Sequence, residues 1–228
     1  MHEHKVNAFF ECCLRRIGTI RSRQQQEETI SYLAGFINHY IADSICHPYV
    51  YGRIGYPVDA PTSMHHGMHA HLENELDAIL LWKYKKKKPS EFNQTATICL
   101  NGQEIQFISH FLASCINETY YPITYRNNFQ VTPAMVHRSI WALRFGCRTL
   151  SDKNGKKKFG IAQVESIFVN HPVASAKMVT DSVTDYRSSC NLNHEAWGNP
   201  WDPTRVSTAS FVDLFHETLD KCSRVYAL

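Results

Sequence analysis

Two observations predict an all-α fold. Apolar residues recur at helical spacing through most of the chain, and strand-like alternation is scarce. A length of 228 residues suits one domain with a sizeable core, and no internal repeat or low-complexity tract divides it. A single all-α domain over residues 1–228 is therefore expected.

The first helix is expected over about 6–19, with Phe9, Phe10, Cys13, Leu14 and Ile17 on one stripe. A polar run, 21–28, leads into a second helix over 29–46, whose apolar face is Ile30, Leu33, Ile37, Tyr40 and Ile41. Pro48 should end it, because the residue before a proline is pushed out of the αR region. A loop punctuated by Gly52, Gly55, Pro57 and Pro61 follows. The third helix runs from 63 or 65 to 84, with Leu72, Leu76, Ile79 and Leu80 inward. Lysines at 85–88 and Pro89 close it, cations being favourable at the negative end of a helix dipole. Helical patterning returns over 103–119, 133–150 and 161–185. The last helix starts near Ser210, which stands at capping-box spacing from Asp213. Residues 96–100 read as a short strand, with Asn101-Gly102 as its turn.

Composition narrows the function classes. No window approaches the run of apolar residues that a membrane span needs. A formal net charge of +3 is too small to argue for nucleic acid or an anionic membrane as partner. The eight cysteines show no CxxC pair and read as buried thiols of a reducing, cytoplasmic compartment rather than as a disulfide framework. The start, MHEHKVNAFFECC, is not a secretory leader as written, although a chain lacking its first segment would leave secretion open. Thirteen histidines is the unusual figure, and several of them cluster.

In GFINHYIADSICHPYVYG, His39 and Asp43 are four apart on one helical face, and His47 lies one turn further on. Imidazole nitrogen and carboxylate oxygen are both zinc ligands, and an i,i+4 pair supplies two of them from a rigid element. HAHLENELD repeats the device twice: His69 with Glu73, and His71 with Glu75. These two pairs point about 200° apart around a helix, so only one can face a given metal. Each pair alone is commonly a surface ion pair of modest worth. Buried His and Asp cost stability unless compensated, and a metal compensates them directly.

These residues resemble the zinc-dependent phospholipase C family, an all-helical fold shared with single-strand-specific zinc nucleases. The resemblance rests on H-Y-x-x-D followed by His47-Pro48, then on His69, Glu73 and Asn74 through to Asp77. It implies a helical bundle of the phospholipase C and zinc nuclease type holding up to three zinc ions. His39 and Asp43 would serve a two-metal pair bridged by the aspartate, while His47, His69 and Glu73 would hold the remaining zinc, in preference to His71 and Glu75. The opening MHEHKVNAFFE resembles a bacterial subgroup in which a histidine after methionine joins the two-metal site, a position His2 would take with His4 nearby. The tail WGNPWDPTRVSTASFVDLF is similar to the end of the same subgroup. Ligands that the family carries further upstream, including an aspartate proposed as general base, are expected to be missing here. No catalytic base is therefore assigned, and fewer than three ions are expected.

The implied chemistry is hydrolysis of a phospholipid or other phosphodiester by metal-activated water. A nuclease-like phosphodiesterase shares the metal architecture, and aromatic residues beside the site would favour it through base stacking. A metal-stabilised helical module without turnover is the third reading, since metal binding is itself folding energy. The lysines at 85–88 and 156–158 read as a solvated helix end and loop, and His65 and His66 as a polar helix start. His194 and Glu195, near Trp197 and Trp201, read as loop packing, and Cys46 as a buried small residue.

Overall fold

The computed structural model describes residues 4–55, 62–124, 128–183 and 185–227. Among them are eight α-helices and one two-stranded antiparallel hairpin, so the fold is all-α. The chain divides into two compact units: Met1–Tyr40 with Gln94–Arg148, and Ile41–Asn93 with Thr149–Leu228.

The first unit contains α1 (Val6–Ile17), the opening turns of α2 (Arg23–Arg53), α4 (Gly102–Tyr120) and most of α5 (Pro133–Thr149). Phe9, Cys12, Cys13 and Ile17 of α1 pack with Leu33 of α2 and with Ile108, Phe111, Leu112 and Cys115 of α4. The buried stripe of α1 is rotated from the expected one: Cys12 is inside, and Leu14 is 60% exposed. Ile30 is likewise exposed rather than on the inner face of α2. All eight cysteines are free; Cys12, Cys13, Cys115 and Cys190 are buried as small hydrophobes, whereas Cys46, Cys147 and Cys222 are half-buried and Cys99 is exposed. Arg15 and Arg16 of α1 both pair with Glu118 near the end of α4, Arg16 from two nitrogens at 3.0 and 2.7 Å.

Residues 96–100 do not form the expected strand. Their neighbourhood is a 3-10 turn, Gln94–Thr97, and the carbonyls of Ile98 and Leu100 accept from Arg144 instead of from a second strand. Asn101 is not a hairpin turn but the N-cap of α4. Its Oδ1 accepts from the backbone N–H groups of Gln103 and Glu104, and Glu104 returns a bond to the N–H of Asn101.

The second unit holds the rest of α2, α3 (Thr62–Lys85), α6 (Lys156–Phe168), α7 (Tyr186–Ser189), β1 (Trp197–Asn199), β2 (Asp202–Ser207) and α8 (Phe211–Tyr226). Pro48 does not end α2; the helix continues to Arg53. The proline removes one backbone bond, but the turn that follows carries Tyr49 and Val50 into the core, at 0% and 2% exposure. Tyr49 donates its hydroxyl to the carbonyl of Ser189 at 2.6 Å and meets the Trp197 ring edge-on at 5.3 Å. Burial of that turn outweighs the local preference to stop.

The pattern expected over 161–185 becomes α6, which starts earlier, so that the lysines at 156–158 form its first turn rather than a loop, and ends at Phe168 before extended backbone at Val169. The Glu165 side chain accepts from the backbone N–H of Val173 and Ser175 and from the Ser175 hydroxyl, holding the segment that follows in a turn. The β1–β2 hairpin was not anticipated. Its strands are three and six residues long, and β2 is mostly exposed, too short for alternation to register. Ser210 caps α8 with its hydroxyl and Asp213 completes the box, as the spacing predicts. Two glycines permit close approach: a Cβ on Gly52 would stand 2.4 Å from the carbonyl oxygen of Gly198, and one on Gly67 would stand 1.8 Å from that of Pro172.

Candidate metal centre

Residues four apart stack on one face of an α-helix, and both long helices of the second unit use that spacing for polar side chains. On α2 the line is Asp43, His47 and Tyr51; on α3 it is His65, His69, Glu73 and Asp77. The two lines meet at Glu73. Its Oε1 lies 2.8 Å from His69 Nε2 on its own helix and 3.5 Å from His47 Nε2 on α2. His47 Nε2 is also 3.8 Å from Asp43 Oδ1. One ligand atom from each of His47, His69 and Glu73 lies within 4.8 Å of the others, and all three residues are half-buried.

The electrostatics follow from this convergence. Burial pushes the Glu73 carboxyl up, but hydrogen bonds from His47 and His69 outweigh it and hold the group at about 2. The same bond to Glu73 raises His47 above the usual imidazole value, against burial and with help from the Asp43 charge. Asp77, one turn past Glu73, is exposed. Desolvation by the protein around it, with the Glu73 charge added, still pushes its carboxyl up to about 6.

Two imidazoles and one carboxylate make a donor set that catalytic zinc uses. Tetrahedral zinc bonded at about 2.0–2.1 Å separates adjacent donors by roughly 3.4 Å, and the contacts at Glu73 are 2.8 and 3.5 Å. His69 Nδ1 is buried with no hydrogen-bond partner among the described residues, so Nε2, which faces Glu73, is the nitrogen engaged here. The residues present fit the ion.

The competing pair is directed elsewhere. Glu75 is buried and accepts from the Ser189 hydroxyl, while His71 stands 3.9 Å from Glu75 and 3.4 Å from Lys158 Nζ. Burial and then the Lys158 charge lower the His71 pKa. His39 lies two turns before His47 on α2, in the first unit, its ring 6.5 Å from Phe36. Asp43 adjoins the three-residue group without belonging to it. His2 lies outside the described residues. Cys46, raised to about 11 by burial, remains a thiol near Thr218. His194 is exposed and bonds the carbonyl of Thr208. His65 differs from expectation: it is buried, one turn before His69.

Sequence reading missed an aromatic edge beside the cluster. The Tyr51 ring lies 4.6 Å from that of His69 and 5.9 Å from that of His47, and Trp201 meets Tyr51 edge-on at 5.1 Å. Trp201 is 60% exposed. The signal for Tyr51 was available: it continues the four-residue spacing of Asp43 and His47, provided that α2 passes Pro48.

A family model described as zinc-dependent phospholipase C matches residues 1–125, which include His39, Asp43, His47, His69 and Glu73. No curated protein and no solved structure matches the chain.

Proposed function

The chain belongs to the zinc-dependent phospholipase C family, and on that premise we propose that it hydrolyses a phosphodiester, a phospholipid first among them, with His47, His69 and Glu73 holding zinc. The observation that carries the proposal is the meeting of two imidazoles from different helices on one carboxylate oxygen. His39 and Asp43, one turn apart on α2, are the residues proposed for a further ion. Zinc, when bound, supplies positive charge to the phosphate oxygens and lowers the pKa of water to roughly 7.

The residues of the chain supply the rest. Helices α2 and α3 fix three donors on rigid backbone, so little reorganisation is needed on binding. Glu73, ionised across the neutral range, brings the negative charge that draws a cation between the histidines. Tyr51 and Trp201 give the part of the substrate beyond the phosphate an aromatic surface to lie against. That surface is also what favours a second reading, cleavage of a nucleic-acid phosphodiester with a base stacked on Trp201. The test is hydrolysis of p-nitrophenyl phosphorylcholine and of single-stranded DNA by the zinc-loaded protein. Activity on the first supports the proposal, and activity on DNA alone replaces it with the second reading. Zinc binding with neither activity leaves a metal-stabilised helical module.

A further inference from the structure

The lysine run after α3 does not simply dissolve into solvent. In the second unit, a pocket of about 490 Å³ is lined by Lys83, Lys86 and Lys88, by Trp82 and Tyr186, and by the buried Ala78 and Ile79. Trp82 is 55% exposed, Tyr186 and the three lysines are exposed, and Asp181 is the one acid in the lining among the described residues. Asp181 is already engaged: its two oxygens accept the backbone N–H and the hydroxyl of Ser90 at 2.9 and 2.7 Å.

Those two hydrogen bonds tie Ser90, two residues past Lys88, to Asp181. Lys86 takes a left-handed backbone, φ 55°, just past the helix, while its N–H closes the last turn on the carbonyl of Trp82 at 3.1 Å. Glycine usually fills such a position. The pocket lining thus combines apolar side chains with three lysines. Net charge understated it, because +3 for the whole chain averages over a local concentration of lysines.

Trp82 stands nine residues past Glu73, about 13 Å along α3 and roughly half a turn around it. Among the described residues, the pocket lining includes none of His47, His69 and Glu73. We propose that it is a docking site for the phosphate and proximal apolar part of an anionic phospholipid at a membrane surface, anchoring the protein there. Lysine ammonium groups seat on lipid phosphates, and tryptophan and tyrosine settle at the level of the headgroups. The choice of lipid over another amphiphilic anion rests on the phospholipase C reading above.

The experiment is co-sedimentation of the zinc-loaded protein with vesicles of phosphatidylcholine alone and of phosphatidylcholine mixed with phosphatidylserine. Binding is expected to the mixed vesicles, weakening with salt, and to fall about five-fold for each lysine in Lys86→Gln and Lys88→Gln. Trp82→Ala should weaken it further, with hydrolysis of soluble p-nitrophenyl phosphorylcholine unchanged in all three variants. No vesicle binding by the parent, or equal binding by parent and variants, overturns the proposal. Displacement from the vesicles by inorganic phosphate at unchanged ionic strength also overturns it and assigns the pocket to soluble anions. Variant-sensitive binding by a parent that hydrolyses nothing would sustain the docking site while removing the hydrolase reading.

Discussion

His69 and Glu73 are one helical turn apart on α3, and their facing atoms, Nε2 and Oε1, are 2.8 Å apart. The same oxygen meets His47 Nε2 at 3.5 Å from α2. A contact within one helix would be an ordinary i,i+4 pair; the third group, arriving from another helix, turns it into a candidate ligand set.

Metal content separates the two histidine–glutamate pairs. The protein should carry zinc by elemental analysis, and His69→Ala combined with Glu73→Ala should lose most of it. His71→Ala should retain it, since His71 faces Lys158 and Glu75 instead. Removing zinc with a chelator should lower the melting temperature and adding it back restore it, because a ligand that binds only the native state stabilises it. Equal zinc in parent and double variant would move the site elsewhere.

Trp201→Ala should raise KM for a phosphodiester several-fold and leave kcat within about two-fold, as expected for a residue whose binding contribution is shared by ground and transition states. Zinc content should not change, because Trp201 packs against Tyr51, which in turn meets His69. An unaltered KM would show that the aromatic edge is packing and not substrate contact.

The two kinds of glycine should respond with opposite sign. Gly67→Ala drives a Cβ into the backbone oxygen of Pro172 and should cost about 1–3 kcal/mol, read as a lower midpoint in urea. Gly35→Ala, inside α2 with nothing within 4 Å of the new atom, should stabilise by about 0.5–1 kcal/mol.

Acid should loosen the α1–α4 contact in a definite window. Hydrogen bonds from Arg15 and then Arg16 hold Glu118 at about 2, below its ordinary 4.5. A depressed carboxyl adds stability that is complete above 4.5 and disappears as pH falls through about 2. Glu118 is exposed enough for solvent to screen most of this, so Glu118→Gln should cost less than about 1 kcal/mol at pH 7. The difference in melting temperature between parent and variant should vanish below pH 2; a gap that persists would mean the charge of Glu118 is not what matters.

Residue order places most of the helices, though not the end of α2 or the extent of α6, and shows which polar side chains share a face. Spacing and caps are local, so Asp43 with His47, His69 with Glu73, and the Ser210 start of α8 were legible from residue order. Tertiary structure decided which of two identically spaced pairs meets α2, because Glu75 goes inward to Ser189 while Glu73 meets His47. It also carried α2 past Pro48, since the burial of Tyr49 and Val50 draws on partners such as Ser189 and Trp197, far along the chain. Arg144 took the carbonyls that a strand at 96–100 would have needed. The lysine-lined pocket likewise joins the end of α3 to Asp181, Val183 and Tyr186. Spacing encodes direction around a helix axis, but what lies in that direction depends on segments brought together only by packing.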